Sequence, residues 1–216
     1  VTTLITLESQ MSDEITIIDL NASKNLIDPD LNLLKKICNK IMTPICFGGG
    51  INNFEKAKNI IRCGADKILI NQNLDNEVLI KSISDSFGSQ SIVGGIDLNV
   101  KNGNYVVQKK DIVLSIDPIK YIEKINNLPI GEIKITFINL EGCKTGTDIE
   151  YLKKILKLVS KPLIIEGGLG SLMDISDCCK AGLDSFALGA MIFFADNNIF
   201  KIKNYLANEG FAARLR

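Results

Sequence analysis

The sequence repeats itself with a period of 118 residues. Shifting the chain by that distance aligns identical residues of the two halves without a gap. The aligned pairs are Glu14/Glu132, Asp30/Asp148, Pro44/Pro162, Gly49/Gly167, Gly50/Gly168, Gly64/Gly182 and Asp66/Asp184. A repeat of this length spans several strands and helices, so the chain must fold into two similar units rather than one irregular domain.

Within each half, short apolar segments alternate with longer amphipathic segments. The predicted strands are residues 14–20, 43–48, 66–71, 91–97, 132–138, 161–166 and 185–189. The predicted helices are residues 30–41, 53–63, 76–86, 117–127, 148–159, 171–181 and 198–209. Continuously apolar strands separated by helices indicate parallel strands that helices cover. The pattern therefore predicts an α/β fold, a (βα)8 TIM barrel built from two similar half-barrels, as one domain over residues 1–216.

Only seven barrel strands are visible, however. The repeat places the partner of strand 91–97 before Val1, so we expect the first strand and its loop to be missing from the given sequence. Seven strands alone would leave two unpaired edges, which is unfavourable. A separate segment, residues 98–112, contains Asn102-Gly103 between strand-forming residues and predicts an inserted β-hairpin.

Composition excludes several functional classes. The 25 basic and 25 acidic residues cancel, which argues against a nucleic-acid surface, and no apolar run reaches the ~18 residues of a membrane span. The six cysteines lack metal-ligand spacing, and most of them lie in apolar runs, which predicts small core residues in a reducing, cytosolic compartment. Without histidine, acid–base chemistry falls to other groups such as carboxylates. We expect neither a metal nor an organic cofactor.

Each half carries a glycine cluster directly after a strand. These are Gly48-Gly49-Gly50 in the first half and Gly167-Gly168 with Gly170 in the second, and each is followed one βα unit later by another strand end, at Asn71 and Gly189. Glycine lets backbone N–H groups approach an anion, and barrels commonly bind phosphate at such loops. The alternative is that these glycines only form tight turns between a strand and the following helix and bind no ligand. The duplication favours two phosphate sites and hence an elongated bisphosphate ligand.

Charged residues at the strand ends supply the remaining candidates. Asp97 lies at the end of a predicted strand, so its carboxylate is a candidate general acid or base. The alternative is that Asp97 has a structural role, as a cap or as the ion-pair partner of a nearby lysine. Asp19 and Asn139 also lie at strand ends and could orient a ligand. At the opposite ends, Glu14, Lys67 and Glu132 begin strands, where charged residues usually form an ion-pair ring that closes a barrel. The residue pattern by itself therefore predicts that these three residues stabilise the fold.

The motifs DEITIIDLNAS, FGGGI, GADKILIN, FGSQSIVGGID and IIEGGLG resemble, in order and spacing, the cyclase subunit of imidazole glycerol phosphate synthase. The resemblance extends from Val1 to about Leu215. It implies a heterodimer with a glutaminase subunit, whose ammonia passes through the barrel. It also implies a phosphoribosyl-formimino bisphosphate substrate, which is cleaved and closed to an imidazole in histidine biosynthesis.

The resemblance assigns roles by position. Asp97 matches one of two catalytic aspartates, and the other would precede Val1 together with a mobile-loop lysine. Glu14, Lys67 and Glu132 match a ring where ammonia enters, and Asp66 and Gln90 match positions toward the glutaminase. The phosphate-binding positions correspond to Gly50, Asn71, Gly142, Gly168, Gly189 and Ala190, beside Gly49 and Gly167 of the glycine clusters.

Several pocket residues depart from the family pattern. Glu166 replaces a small hydroxyl residue, which is unfavourable beside a phosphate unless the carboxyl group is protonated or paired. Asn139, Leu140 and Glu141 replace aspartates around an arginine, and Gln72 replaces a hydroxyl residue. These changes leave a second hypothesis open. Under it, the chain is a paralogue that channels ammonia for an amidotransferase in bacterial surface-sugar synthesis and has little cyclase activity. A third hypothesis is that the chain is the sister aldose–ketose isomerase. The segment FGSQ…GID fits the isomerase less well than it fits the cyclase subunit.

Overall fold

A computed structural model describes residues 1–25, 27–194 and 197–215. The strands in this part of the chain are β1 (Ile15–Ile18), β2 (Ile45–Gly48), β3 (Lys67–Ile70), β4 (Ile92–Lys101), β5 (Asn104–Lys109), β6 (Ile112–Val113), β7 (Glu132–Phe137), β8 (Leu163–Glu166) and β9 (Ser185–Ala187). The helices are α1 (Thr2–Ser9), α2 (Leu20–Asn25), α3 (Leu31–Cys38), α4 (Phe54–Arg62), α5 (Glu77–Phe87), α6 (Pro118–Asn126), α7 (Ile149–Leu156), α8 (Leu172–Lys180), α9 (Ala190–Phe193) and α10 (Ile199–Asn208). Strands and helices alternate, which confirms the predicted α/β class of (βα)8-barrel proteins.

The chain forms two compact units. The first comprises Val1–Gly94 with Leu128–Gly131, and the second comprises Gly95–Asn127 with Glu132–Arg216. This division follows the sequence repeat, with β4 contributing to both units.

In the first unit, β1, β2, β3 and the start of β4 are parallel neighbours. Their apolar side chains form a core with the helices, in which Ile60 of α4, Ile68 of β3 and Ile80 of α5 are fully buried. The helices begin where a polar side chain accepts a backbone N–H: Asn53, for example, accepts from Lys56 at the start of α4.

In the second unit, β7, β8 and β9 are parallel, and the end of β4 forms an antiparallel hairpin with β5. The hairpin turn lies at Asn102 and Gly103, both with positive φ (51° and 76°), as a two-residue type I′ turn requires. The predicted hairpin is confirmed. Strand β4 continues to Lys101, so the prediction that this strand ends at Asp97 was wrong: the first hairpin strand simply extends the barrel strand.

The two units share the same internal geometry. Ile15 pairs with Ile45 in the first unit, and the residues 118 positions later, Ile133 and Leu163, pair in the second. Likewise, the Cys46–Lys67 register recurs between Ile164 and Ser185. The helix caps recur too, because Asp30 and Asp148 each accept the N–H three residues ahead. The repeat predicted from sequence is therefore a repeat of backbone structure.

All seven predicted helices are present, each one to three residues shorter or shifted at an end. Three further helices were not predicted. Helix α1 buries no residue, and α2 and α9 have only six and four residues, so none of them shows a helical apolar stripe. Within the described residues, no helix combines the length and apolar character needed to cross a membrane.

Candidate functional site

A cavity of about 190 Å³ lies in the second unit, at the carboxyl ends of β8 and β9. Five residues predicted to bind phosphate line it together. They are Gly142, Gly167, Gly168, Gly189 and Ala190. The rest of the lining consists of Glu141, Glu166, Leu169, Ala187 and Leu188. The structure thus collects residues from three separate loops at one concave surface.

Glycine is required at two of these positions. Gly167 has φ of 103°, and a Cβ there would lie 2.6 Å from the Phe137 carbonyl oxygen; at Gly168 a Cβ would lie 2.1 Å from the Gly146 carbonyl oxygen. The loops after β7 and β8 can pack this closely only without side chains. Among the described residues, no protein group accepts the N–H of Gly142, Gly189 or Ala190, so these donors are available to a ligand.

The first unit contains the corresponding loops. Gly49 has φ of 110°, and a Cβ there would lie 2.3 Å from the carbonyl oxygen of Asp19, the residue 118 positions before Phe137. Gly50, with φ of 68°, packs against Ala22 in the same way. Asn71 is half-buried directly after β3. Asn73 was not predicted; its side-chain amide donates to the Ile51 carbonyl at 3.0 Å and ties the loops after β2 and β3 together.

Asp97 is half-buried on β4, opposite Gln108 of β5. Its charge acts on Glu141, another carboxylate of the second unit. The two other polar residues at strand ends have different environments. Asp19 accepts the N–H groups of Ala22 (2.9 Å) and Asp30 (3.3 Å), so it holds the loop after β1 in place. Asn139 is exposed in a short 3-10 helix.

Glu166, the residue least expected beside a phosphate, is paired. The Lys134 ammonium, on β7, contacts Glu166 Oε2 and also donates to Thr136 Oγ1 at 3.1 Å. The Thr136 hydroxyl in turn donates to the same Glu166 oxygen at 3.0 Å. Lys134 is only 4% exposed, so contacts with Glu166 and Thr136 replace contacts with water.

Lys134 was missed because it lies inside a segment that was treated as a continuous apolar strand. The signal was nevertheless present: Glu132, Lys134 and Thr136 alternate with buried Ile133 and with Ile135 and Phe137. Period-two alternation places the three polar residues on one face of β7. The segment is therefore a strand with one polar face.

Glu141 occupies the exposed rim of the cavity. Partial burial of its carboxyl group raises its pKa above the ordinary value, and the charge of Glu166 raises it further. Lys134 opposes the shift, and Asp97 adds to it. Protonation of Glu141 is thus favoured by its neighbours.

The residues predicted for ammonia entry and partner contact lie at the amino ends of strands. Lys67 forms an ion pair with Glu14 at 2.6 Å in the first unit, and Glu132 is half-buried at the start of β7 in the second. Asp66 is exposed, and its carboxylate accepts the Ile45 N–H at 2.8 Å, which connects β2 to β3. Gln90 is exposed in a 3-10 helix before β4. Among the described residues, no three His, Cys, Asp or Glu side chains are grouped to bind a metal.

Comparison with known proteins identifies the family. The family model described as histidine biosynthesis protein matches residues 1–198. The chain belongs to this family. It is 35% identical over 210 residues to the imidazole glycerol phosphate synthase subunit HisF of Clostridium botulinum, which covers 94% of this chain and 83% of that protein.

Two relatives from other organisms have the same name. The HisF subunit of Chlorobaculum parvum is 33% identical, covering 96% of this chain and 84% of that protein. The HisF subunit of Dictyoglomus turgidum is 31% identical with the same coverage of both chains. The resemblance to the cyclase-subunit family is confirmed, and the chain is a member of an enzyme family, as predicted.

Proposed function

We propose that the chain is the cyclase subunit of imidazole glycerol phosphate synthase in histidine biosynthesis. In this role it uses ammonia from a glutaminase subunit to cleave a phosphoribosyl-formimino bisphosphate and close the imidazole ring. The main support is the cavity of the second unit, where four positions assigned to phosphate binding by family resemblance line one surface together with Gly167 of the glycine cluster. The matching glycine loop of the first unit supports a second phosphate site, at Gly49, Gly50 and Asn71.

Asp97 is the proposed general acid–base. The chain has no histidine, and Asp97 is a half-buried carboxylate whose charge is felt by a residue of the cavity rim. A carboxylate within hydrogen-bond reach of the reacting group can carry a proton between substrate atoms. We assign the ammonia gate to Glu14, Lys67 and Glu132, and the glutaminase contact to Asp66 and Gln90.

One observation favours the second candidate, an ammonia-channelling paralogue that serves an amidotransferase of surface-sugar synthesis. Two carboxylates, Glu141 and Glu166, line the proposed phosphate cavity. Negative side chains weaken the binding of a doubly charged phosphate. Under this alternative, the gate and the glutaminase contact are retained while Asp97 has no catalytic role.

The deciding experiment is turnover of the synthetic formimino bisphosphate with saturating ammonium at alkaline pH, which removes the need for a glutaminase. We expect imidazole formation by the natural protein and its loss, by about a hundredfold or more, in Asp97→Asn. Asp85→Asn is the matched control, because Asp85 is an exposed helix residue that pairs with Lys81 at 3.7 Å. No turnover by a protein that still forms a complex with a glutaminase supports the channelling paralogue instead.

A further inference from the structure

In the pair of Lys134 and Glu166, the two oxygens of the carboxylate differ in their protein contacts. Oxygen Oε2 receives both protein contacts, from Lys134 and from Thr136. Oxygen Oε1 accepts a hydrogen bond from none of the described residues, while the side chain is 27% exposed and lines the cavity. The Lys134 ammonium compensates the charge of Glu166, and the second oxygen remains available to a ligand.

An ionised carboxylate can only accept hydrogen bonds. A doubly ionised phosphate also has only acceptors, so its oxygens and Glu166 Oε1 would repel each other. A phosphate monoester with one proton left has an O–H that can donate to the carboxylate, and such charge-assisted bonds are short and strong. Its other oxygens can accept from the backbone N–H groups of Gly142, Gly189 and Ala190.

We propose that Glu166, positioned by Lys134, makes this cavity selective for a phosphate group that keeps one proton. The inference rests on the proposed binding of phosphate in this cavity. It adds that the phosphate binds in its singly protonated form. Lys134 acts as a positioning residue, since its contacts are with Glu166 and Thr136 rather than with the cavity.

The other charged groups around Glu166 act in the same direction. Glu141, on the loop after β7, and Asp97, on β4, are both acidic, and the charge of Asp97 acts on Glu141. The residues of β9 and α9 that line the cavity, Ala187 to Ala190, carry no charge. Lys134 is thus the cation that balances Glu166, and the described residues that line the cavity include no cation to attract a dianion.

The test uses two small ions that differ in this proton. Glycerol phosphate, as a phosphate monoester, has a second pKa of about 6, whereas sulfate has no proton at neutral pH. Amide NMR titrations would follow the N–H signals of Gly142 and Gly189, which report on this cavity and not on the loops of the first unit. At a pH of about 5.5 we expect glycerol phosphate to bind at least tenfold more tightly than sulfate. Its affinity should fall about tenfold or more by a pH of about 7.5, as the monoanion disappears.

Glu166→Gln tests the residue itself. An amide can donate to a proton-free anion, so this variant should bind sulfate and glycerol phosphate within about threefold of each other and lose most of the pH dependence. The control is Glu150→Gln, because Glu150 is exposed on α7 and pairs with Lys153. Equal binding of the two ions by the natural protein would overturn the selectivity while leaving phosphate binding intact. If neither ion moves the two signals, both the selectivity and the proposed phosphate cavity are wrong.

Discussion

Tyr105 stacks on Tyr151, with 4.0 Å between the ring centroids and 29° between the ring planes. The Tyr105 hydroxyl also donates to Asp148 Oδ2 at 3.1 Å, while Asp148 Oδ1 accepts the Tyr151 N–H and caps α7. The inserted hairpin is therefore fastened to the first turn of a barrel helix. Because the same hairpin pairs Gln108 with Asp97, this contact fixes the strand that carries the proposed acid–base.

Removing the ring of Tyr105 should release the hairpin. We expect Tyr105→Phe to cost about 1 kcal/mol of unfolding free energy, since only a hydrogen bond is lost. Tyr105→Ala should cost about 3 kcal/mol, since the stacking and the buried area are lost as well. Urea denaturation measures both values, and hydrogen exchange of the β5 amides shows whether the hairpin opens locally. An alanine variant as stable as the phenylalanine variant would show that the stacking contributes nothing.

The Lys134–Glu166 pair should be strongly coupled. We expect Lys134→Met to destabilise the fold by about 3 kcal/mol, because it leaves a partly buried carboxylate without its cation. Adding Glu166→Gln should restore part of that loss, giving a coupling energy of about 2 kcal/mol in a double-mutant cycle. The exposed pair Lys81–Asp85 provides the comparison, with an expected coupling below about 0.5 kcal/mol. Additive effects at Lys134 and Glu166 would contradict the pairing.

Glu141 should make stability depend on pH. Its pKa is raised by partial burial and by Glu166, so above pH 4.5 the native state holds a proton that the unfolded chain releases. Stability from this group is therefore present at low pH and lost as the pH rises through the raised pKa. Glu141→Gln should remove that loss when urea midpoints are compared between a pH of about 4.5 and about 7. Glu150→Gln should act in the opposite direction and at lower pH, because Lys153 lowers the pKa of Glu150, so stability from this group is lost as the pH falls below 4.5. A midpoint profile unchanged by Glu141→Gln would contradict the assignment.

Substitutions at two glycines allow the stability cost of backbone strain to be measured separately from the cost of losing close packing. Gly167 and Gly182 both have φ of 103°, but a Cβ at Gly167 would lie 2.6 Å from the Phe137 carbonyl oxygen, whereas a Cβ at Gly182 meets nothing within 4 Å. Gly182→Ala should therefore cost only the conformational strain, about 1–2 kcal/mol. Gly167→Ala should cost at least about 2 kcal/mol more, since the loops after β7 and β8 must separate. Thermal unfolding of the two variants measures the loss of stability in each. Equal losses would mean that the loops after β7 and β8 can move apart at little cost.

The repeat allowed much of the fold to be predicted. Aligned glycines and caps such as Asp30 and Asp148 pointed to equivalent turns, and the structure gives both units the same strand registers. Local chemistry was sufficient there, because a cap or a left-handed glycine depends on residues a few positions away. The hairpin was predictable for the same reason, through Asn102 and Gly103.

The contacts of the site were less accessible from sequence. Lys134 and Glu166 meet only because Thr136 lies opposite Glu166 in the β7–β8 register, and that register connects residues far apart in the chain. Glu166 could be recognised as unusual, but its partner could not be named without the register. Asn73 was missed similarly, since its bond to the Ile51 carbonyl depends on how two loops approach each other.

The shared register also shows where the two halves have diverged. The positions of the first unit that correspond to Lys134 and Glu166 are occupied by Thr16 and Gly48, on strands with the same pairing. The same strand pairing thus carries an ionic pair in one unit and neutral residues in the other. The charge of one unit can therefore differ from that of the other while the strand pairing of both stays the same.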